Sequence, residues 1–201
     1  MELREIGVVA RLQIQRTSLK VGEKPNRVYD ISPLVSVQRL RVSGAGAVAI
    51  QPGGQPALDV HHLGHPNSQH AAWNGVSIGF TPHYVRMRER YGTHLTDGCA
   101  GENVLIETGG LVRLDDLQAG VLIQCAAGDL WLRSIRMARP CLEFSRYALR
   151  EPRADRDSDA IKDALQFLDG GLRGFYVTPA SEAIISVGDR VYLLARVPET
   201  V

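Results

Sequence analysis

Most hydrophobic positions fall into short segments that alternate with a period of two or are rich in β-branched residues, and Gly, Pro or Asp bounds these segments. The longest alternating segment covers residues 6–14. The pattern predicts strands at residues 6–14, 35–40, 76–78, 104–106, 121–124, 129–135, 174–177 and 190–197. A succession of many short strands is typical of a barrel or a sandwich.

Two segments with turn residues before them predict short helices among the strands. Thr81 can cap a helix that has Pro82 at its first helical position, and the pattern continues to Gly92. A shorter helix is expected after Pro140, because proline cannot continue the strand that precedes it.

A further helix is predicted from about residues 157–158, where Ser158 can serve as its cap. Ile161, Leu165 and Leu168 recur at helical spacing and lie on one face. The pattern stops at Gly170, which is followed by a second glycine that favours a helix end.

The remaining pattern gives no sign of a domain boundary. The segment 43–56 is rich in glycine and lacks periodicity, which predicts a loop beside a short strand rather than a linker. The 201 residues are enough for one domain that buries well over half of its unfolded surface. We therefore expect one mainly β domain over residues 1–201, a β-barrel with two or three short peripheral helices.

The charged residues nearly balance, with 23 Lys and Arg against 22 Asp and Glu, but 20 of the 23 basic residues are Arg. Codon usage in a GC-rich genome accounts for such an excess, although the Arg guanidinium also suits phosphate and carboxylate groups. The net charge of +1 argues against a nucleic-acid binder. No apolar run approaches the roughly 18 residues of a spanning helix, and the N-terminus is unlike a secretory signal. We expect a cytoplasmic protein with no membrane association.

The three cysteines are Cys99, Cys125 and Cys141. Their odd number excludes a full disulfide framework, and their spacing excludes a CxxC zinc site. A lone cysteine is more often a buried small hydrophobic residue than a reactive one. Each thiol is therefore judged by its own surroundings.

Four of the six histidines lie within residues 61–70, among Gly, Pro and Asn. Imidazoles in such a cluster can bind an anion or a metal ion. Pro66 breaks the helix that would align His61 with His65, and the spacing matches no HExxH site. We favour the wall of an anion pocket over an ordinary polar loop, and either of these over a metal site.

Three other segments carry candidate chemistry. A glycine-rich turn leads to Asn103, which offers a donor and an acceptor, although taken alone this segment is better explained as an ordinary turn in which Asn103 caps backbone groups. Cys141 follows a proline where a helix can begin, and a helix N-terminus near Arg136 and Arg139 favours the thiolate form. Arg173 lies between glycines, where its side chain is expected either to reach an anion or to be solvated.

Taken in chain order, these segments resemble the MOSC domain, which is named for the C-terminal domain of molybdenum cofactor sulfurase. The resemblance covers about residues 42–195, and its Arg-Pro-Cys segment carries most of the weight. Leu58 stands where the family usually has a glycine, and histidines and Asn67 replace basic residues that often follow. The matching segments are Asp59-Val60-His61, Gly101-Glu102-Asn103-Val104, Arg139-Pro140-Cys141, Leu172-Arg173-Gly174-Phe175-Tyr176 and Val187-Gly188-Asp189-Arg190-Val191.

The resemblance implies a β-barrel domain that binds molybdenum cofactor. Cys141 would either ligate molybdenum as a thiolate or carry sulfur as a persulfide. Pyridoxal phosphate, which the family meets through fusion to a desulfurase-like domain, is not expected, because the chain has no room for that domain and none of its three lysines lies near a motif. The residues expected to hold the cofactor are Asp59, His61, His65, His70, Asn103, Arg136, Arg139 and Arg173.

Three functional hypotheses remain open at this point. The first is a molybdenum cofactor-dependent oxidoreductase that reduces small N-hydroxylated or similar substrates with electrons from an external donor. The second is a sulfur carrier in which Cys141 receives a persulfide from a cysteine desulfurase. The third is an anion-binding module without redox chemistry, for which Arg136 and Arg173 would be essential and Cys141 would not.

Overall fold

The computed structural model describes residues 2–51 and 53–194 of the chain. In chain order the strands are β1 (Leu3–Gln15), β2 (Lys20–Val21), β3 (Val28–Tyr29), β4 (Leu34–Val37), β5 (Arg39–Ser43), β6 (Gly46–Ile50), β7 (Ala57–Leu58), β8 (Val76–Phe80), β9 (Val104–Thr108), β10 (Val121–Cys125), β11 (Gly128–Met137), β12 (Phe175–Pro179), β13 (Ala183–Ser186) and β14 (Arg190–Leu194). The helices are α1 (Thr81–Tyr91), α2 (Leu142–Leu149) and α3 (Asp159–Leu168), with a short 3-10 turn at Leu114–Leu117.

Seven strands close into a barrel in the order β14-β10-β11-β12-β8-β9-β1, and β1 pairs with β14 to complete the ring. The strand β4 extends this sheet from β1, and a separate sheet contains β13, β5, β6 and β7. All barrel pairings are antiparallel except β8 with β9, which are parallel. Parallel neighbours need a crossover connection, and α1 lies in it.

The barrel and its three short helices confirm the predicted fold class, and each predicted strand region contains a strand. The strand predicted at 190–197 is described only as far as Leu194, so its last three residues, and the end of the motif region at residue 195, lie outside the described residues. No helix in the described part of the chain is both long and apolar enough to cross a membrane.

The helices begin close to their predicted positions. The helix α3 starts after Ser158, whose side chain accepts from the backbone of Ile161, and the short helix after Pro140 is α2. The cap predicted at Thr81 is wrong by one residue, because β8 runs directly into α1 and Phe80 occupies the cap position without a side-chain hydrogen bond. Pro82 does lie in the first turn, where it removes no needed donor.

The segment 43–56 is not the loop that its composition predicts. It contains β6, which pairs with β5 across a tight turn, and Ala47 and Ala49 of β6 are fully buried. Because alanine is small and only weakly hydrophobic, the sequence pattern of β6 does not stand out as that of a strand. Gly46 has φ 118° and a Cβ there would lie 2.8 Å from the Cα of His62, so the hairpin packs closely against the histidine-rich segment.

The buried side chains form two clusters. The first fills the barrel with aliphatic side chains such as Leu12, Ile78 and Ile106. The second lies under the helices and contains Tyr84 and Phe144 with other side chains from α1, α2 and α3. These two clusters fix the barrel and the helices against each other.

We predict that Leu12→Ala lowers the free energy of unfolding by about 2–5 kcal/mol, because Leu12 is fully buried on the strand that closes the barrel. Urea denaturation measures the change. Leu3→Ala on the same strand is the control, since Leu3 is 42% exposed and its loss should change stability by no more than about 0.5 kcal/mol. Equal effects at the two positions would contradict the assignment of Leu12 to the core.

Candidate functional site

A polar cavity of about 100 Å³ lies where β1 ends and where the segment leading into β9 returns to the barrel. Loops from distant parts of the chain converge there, so the cavity depends on the fold rather than on one motif. Its lining residues are Gln15, Ser18, Leu19, Lys20, Tyr29, His61, Gln69, Asn74, Ser77, Ala100, Gly101, Glu102, Ala138, Arg173 and Tyr176.

Asp59 joins the histidine-rich loop to the barrel. Its side chain is fully buried, and one oxygen, Oδ2, accepts from the backbone of Gln15 (2.7 Å) and from Asn103 Nδ2 (3.0 Å). The other oxygen, Oδ1, accepts from the backbone of His61 (2.8 Å) and from its Nδ1 (3.0 Å). A carboxylate that accepts this many hydrogen bonds holds all the donors in place. Asp59 is therefore a positioning residue, outside the cavity lining.

Asn103 has a similar structural role. Its Oδ1 accepts from the backbone (3.0 Å) and hydroxyl (3.2 Å) of Ser77, while its Nδ2 also donates to the Gln13 carbonyl (3.3 Å). These contacts, with the one to Asp59, use both ends of the amide. Asn103 is 3% exposed and connects β8, β9 and β1 at the cavity end, so it supports the cavity rather than lining it.

Of the three histidines expected to hold a cofactor, His61 lines the cavity. Because Nδ1 of His61 donates to Asp59, its Nε2 is the ring nitrogen left for a ligand. His65 accepts from the backbone of Asn67 within its own turn (3.1 Å), and His70 donates to the His61 carbonyl (2.9 Å). His65 and His70 shape the loop, and both lie outside the cavity lining.

His62 carries little positive charge. Burial lowers the pKa of His62, and the nearby His70 and His65 lower it further against the opposing effect of Asp59. Burial and the neighbouring imidazoles thus favour a neutral His62. His62 therefore does not supply the charge of an anion site.

Arg173 supplies that charge. Its NH1 and NH2 groups donate to the carbonyls of Arg139 (3.1 Å) and Ala100 (3.3 Å), and its guanidinium carbon lies 4.9 Å from the centre of the Phe144 ring. The buried Nε has no hydrogen-bond partner among the described residues, and none of the ion pairs within that part of the chain includes Arg173. The Tyr29 side chain also lies beside the guanidinium. A half-buried cation whose neighbours are carbonyls, an aromatic ring and a hydroxyl is suited to an anion.

Arg136 and Arg139 lie in a neighbouring groove of about 450 Å³, outside the cavity. Trp73, Met137 and Tyr176 complete the groove, and the Trp73 and Tyr176 rings meet edge to face with centres 5.0 Å apart. Tyr176 lines both spaces, so the groove adjoins the cavity. The two arginines are exposed, which leaves their guanidinium groups accessible to a ligand in the groove.

Cys141 occupies the cap position of α2 and is half-buried, while Cys99 and Cys125 are buried. Burial raises the pKa of Tyr29; Arg173 opposes this shift, whereas the Cys99 and Cys141 thiols add to it. Cys141 therefore lies near two cavity residues, although it does not itself line the cavity.

The two buried thiols are poor nucleophiles. Burial raises the pKa of Cys99 well above its ordinary value, and burial raises the pKa of Cys125 to about 12. Both therefore stay protonated near neutral pH. Cys99 and Cys125 therefore behave as buried small hydrophobic residues, and Cys141 remains the candidate reactive cysteine.

Most cavity residues were not among the site residues predicted from the sequence, and three of them carry ionisable groups that matter for the site. Tyr29 comes from the two-residue strand β3, which has no periodic signal, and Glu102 stands next to Asn103 without having been selected. Lys20 also lines the cavity. The sequence argument that no lysine lies near a motif is therefore wrong, because the β2–β3 hairpin carries Lys20 to the motif residues.

The cavity is not a conventional protein metal site. In residues 2–51 and 53–194, no three His, Cys, Asp or Glu side chains come together in a way that could hold a metal ion. Any metal here would need most of its ligands from a bound cofactor.

Comparison with solved structures shows a shared fold at low sequence identity. The YuaD protein from Bacillus subtilis aligns over 98% of this chain and 99% of its own, with 13% identity and a TM-score of 0.61. The crystal structure of a hypothetical protein aligns over 97% of this chain and 70% of its own, with 12% identity and a TM-score of 0.55. YiiM from Geobacillus stearothermophilus aligns over 98% of this chain and 78% of its own, with 18% identity and a TM-score of 0.48.

No protein-family model matches the sequence, and no curated protein matches it significantly. The likeness to YuaD therefore extends to the fold alone.

We predict that Asp59→Asn lowers the free energy of unfolding by about 3 kcal/mol, because an amide presents two donors to groups that are themselves donors. Urea denaturation monitored by tryptophan fluorescence measures the loss. Asp129→Asn is the control, since Asp129 is exposed on β11 and its change should cost no more than about 0.5 kcal/mol. An Asp59→Asn protein as stable as wild type would contradict the positioning role.

Proposed function

We propose that this chain is a MOSC-domain protein that binds molybdenum cofactor. The observation that carries the proposal is the charge of Arg173, which lies half-buried at the cavity without a carboxylate partner among the described residues. A buried charge is costly unless an opposite charge or several dipoles compensate it. A bound anion would supply the missing compensation.

The donor set of the cavity suits the phosphate of the cofactor. Arg173 offers its guanidinium and Lys20 offers an ammonium group, both around a space of about 100 Å³ that His61 also lines. Ligand sites for whole drug-sized molecules are larger, roughly 300–1,000 Å³. The cavity is therefore of the right size for one anionic group rather than for a complete cofactor.

The adjoining groove suits a flat ring. Trp73 and Tyr176 offer aromatic surfaces, and Arg136 and Arg139 offer guanidinium groups that can both stack and donate hydrogen bonds. With about 450 Å³, the groove has room for the pterin while the phosphate occupies the cavity. The residues present thus fit the two chemically different parts of the cofactor.

Cys141 is the proposed ligand of molybdenum. A thiolate is a soft ligand, and Cys141 is the one cysteine of the chain that is not buried. When bound, the cofactor would supply the reduction of a small N-hydroxylated or similar substrate. The role of the protein would be to hold the anion, keep Cys141 beside Arg173 and Tyr29, and exclude water from the cavity. The electrons would come from an external donor protein.

The test is metal and pterin analysis of protein purified from a host that makes the cofactor. We expect molybdenum and pterin in wild type, loss of at least about 90% of the molybdenum in Cys141→Ala, and loss of both in Arg173→Gln. A tenfold effect is typical when a group that holds a metal centre is removed. Cys125→Ala and Arg133→Gln are the controls, because Cys125 is buried elsewhere and Arg133 is exposed beside Trp131, and both should keep the cofactor. Wild type without molybdenum and pterin would contradict the proposal.

A second candidate function is sulfur transfer, and the burial of the other two thiols favours it. Cys141 would attack the persulfide of a cysteine desulfurase, so that the outer sulfur forms a bond to Cys141 and the thiolate of the donor leaves. Arg173 lies close enough to stabilise the anionic persulfide on Cys141. This function needs no bound metal.

For this second function, the protein should be incubated with a cysteine desulfurase and cysteine and then analysed by mass spectrometry. We expect one added sulfur on Cys141 in wild type and in Cys99→Ala, and none in Cys141→Ser. The buried Cys99 and Cys125 should stay unmodified in the folded protein, because burial raises the pKa of each. A Cys141 that remains unmodified would exclude the carrier role.

A further inference from the structure

Glu102 is a buried carboxyl group that the proposed function does not use. It is 3% exposed, it belongs to the residues that line the cavity, and it comes directly after a glycine-rich turn. It lies at the end of the crossover that begins with α1, so the helix and the returning chain meet at this side chain. A buried acid at a cavity needs a physical account, because acids are almost never buried without a partner.

The partner of Glu102 is a neutral hydroxyl group. Tyr84 of α1 donates to the carboxyl group, with its hydroxyl oxygen 2.6 Å from Oε2 and 2.9 Å from Oε1. The same hydroxyl oxygen accepts from the backbone of Ala100 at 3.1 Å. Since a hydroxyl has one proton, Tyr84 can satisfy one carboxyl oxygen and leaves the other to a second partner.

No cation forms an ion pair with Glu102 among the residues that the structure describes. Glu143, the other buried glutamate, contrasts with it, because its Oε1 lies 2.6 Å from Arg27 NH2. An ionised carboxylate in a dry site is expensive without such a pair. The surroundings of Glu102 are therefore those of an uncharged acid.

Backbone packs tightly around the carboxyl group. A Cβ at Gly79 would lie 2.5 Å from Oε1, and a Cβ at Gly174, where φ is 91°, would lie 3.2 Å from the same atom. Both positions therefore need glycine for the carboxyl group to fit. Gly79 on β8 and Gly174 just before β12 thus bring backbone close to Oε1.

The charges nearby act in opposite directions. Burial raises the pKa of Glu102. The hydrogen bonds from Tyr84 and from the backbone N–H of Glu102 itself, together with the charge of Arg173, oppose this shift, and Asp97 adds to it. The Cys99 thiol also faces Glu102, and Lys20, Tyr29 and His61 share the cavity with it. The outcome is a carboxyl group that holds its proton at a higher pH than an exposed glutamate does.

We propose that Glu102 is held uncharged and donates a hydrogen bond from its carboxyl group to an oxygen of the anion bound in the cavity. A carboxylic acid kept neutral at pH 7 by an apolar site is an effective donor of this kind. Ionisation of Glu102 would turn the donor into a negative charge beside the ligand and expel the anion. The proposal rests on the anion site of the proposed function, and it makes that site selective for oxyanions at a pH where Glu102 keeps its proton.

The charge state of Glu102 is tested first, by infrared spectroscopy of the protein without ligand at pH 7. We expect the carbonyl stretch of a protonated carboxylic acid in wild type, its loss in Glu102→Gln, and its retention in Glu143→Gln. Glu143→Gln is a matched control because Glu143 is equally a buried glutamate but is paired with Arg27. A spectrum in which Glu102→Gln removes no such band would overturn the proposal, whether or not an anion binds.

The donor role is tested by calorimetric titration with sulfate, which keeps its charge between pH 5 and 9. Above the pKa of Glu102, wild type should lose about tenfold in sulfate affinity per pH unit, because binding requires the protonated acid. Glu102→Gln keeps an uncharged donor at every pH. The sulfate affinity of this variant should therefore equal that of wild type at low pH and should not show the tenfold loss per pH unit. Wild type and Glu102→Gln both contain His61 and Lys20, so the difference between the two profiles isolates Glu102.

The outcomes separate the two proposals. Sulfate binding with the same pH profile in wild type and Glu102→Gln would overturn the donor role and leave the anion site standing. Sulfate binding that is absent in wild type would overturn the anion site and the donor role together. Loss of binding in Arg173→Gln, with the Glu102 profile as expected in wild type, would support both.

Discussion

The cavity depends on the buried carboxylate of Asp59. It ties the end of β1, through Gln15, to the loop that carries His61, and through Asn103 to the start of β9. These elements are far apart in the sequence, and no disulfide or described metal cluster connects them. Four hydrogen bonds to one side chain therefore decide where the imidazole of His61 lies and how wide the cavity opens.

The charge of the cavity comes from a different part of the chain. Arg173 follows α3, and its guanidinium is held by carbonyls that precede β9 and α2. Because those contacts are dipoles rather than charges, they fix the direction of the guanidinium without neutralising it. The net charge of +1 is thus compatible with a positive charge concentrated at the cavity.

The fold could largely be read from the sequence, because period-two alternation and β-branched residues mark the barrel strands directly. The pattern fails at β6, where Ala47 and Ala49 are buried without a strong hydrophobic signal, and at β2 and β3, which have two residues each. These are the elements that deliver Lys20 and Tyr29 to the cavity and that support the histidine loop. Short strands made by tertiary packing leave little trace in local sequence.

The candidate site was predictable only in part, for a related reason. The motifs identified the segments that converge, and His61 and Arg173 do line the cavity. Motifs do not reveal which side chain of a segment faces the cavity. In the structure, Asp59 and Asn103 hold the surrounding loops in place by hydrogen bonds. His65 and His70 make hydrogen bonds within their own loop. Cys141 was identified by its proline and the helix start, and both are present.

Asp59 and Glu102 show why burial alone does not assign a role to an acid. Both carboxyl groups are almost fully buried beside the same cavity, at 0% and 3% exposure. Asp59 accepts four hydrogen bonds, two of them from backbone donors, which is the environment of a carboxylate. Glu102 meets one hydroxyl, its own backbone N–H and the bare backbone of two glycines, without a cation in an ion pair among the described residues, which is the environment of an acid that keeps its proton. The same fold thus fixes one carboxyl group as an acceptor that holds the loop and leaves the other as a donor for a ligand.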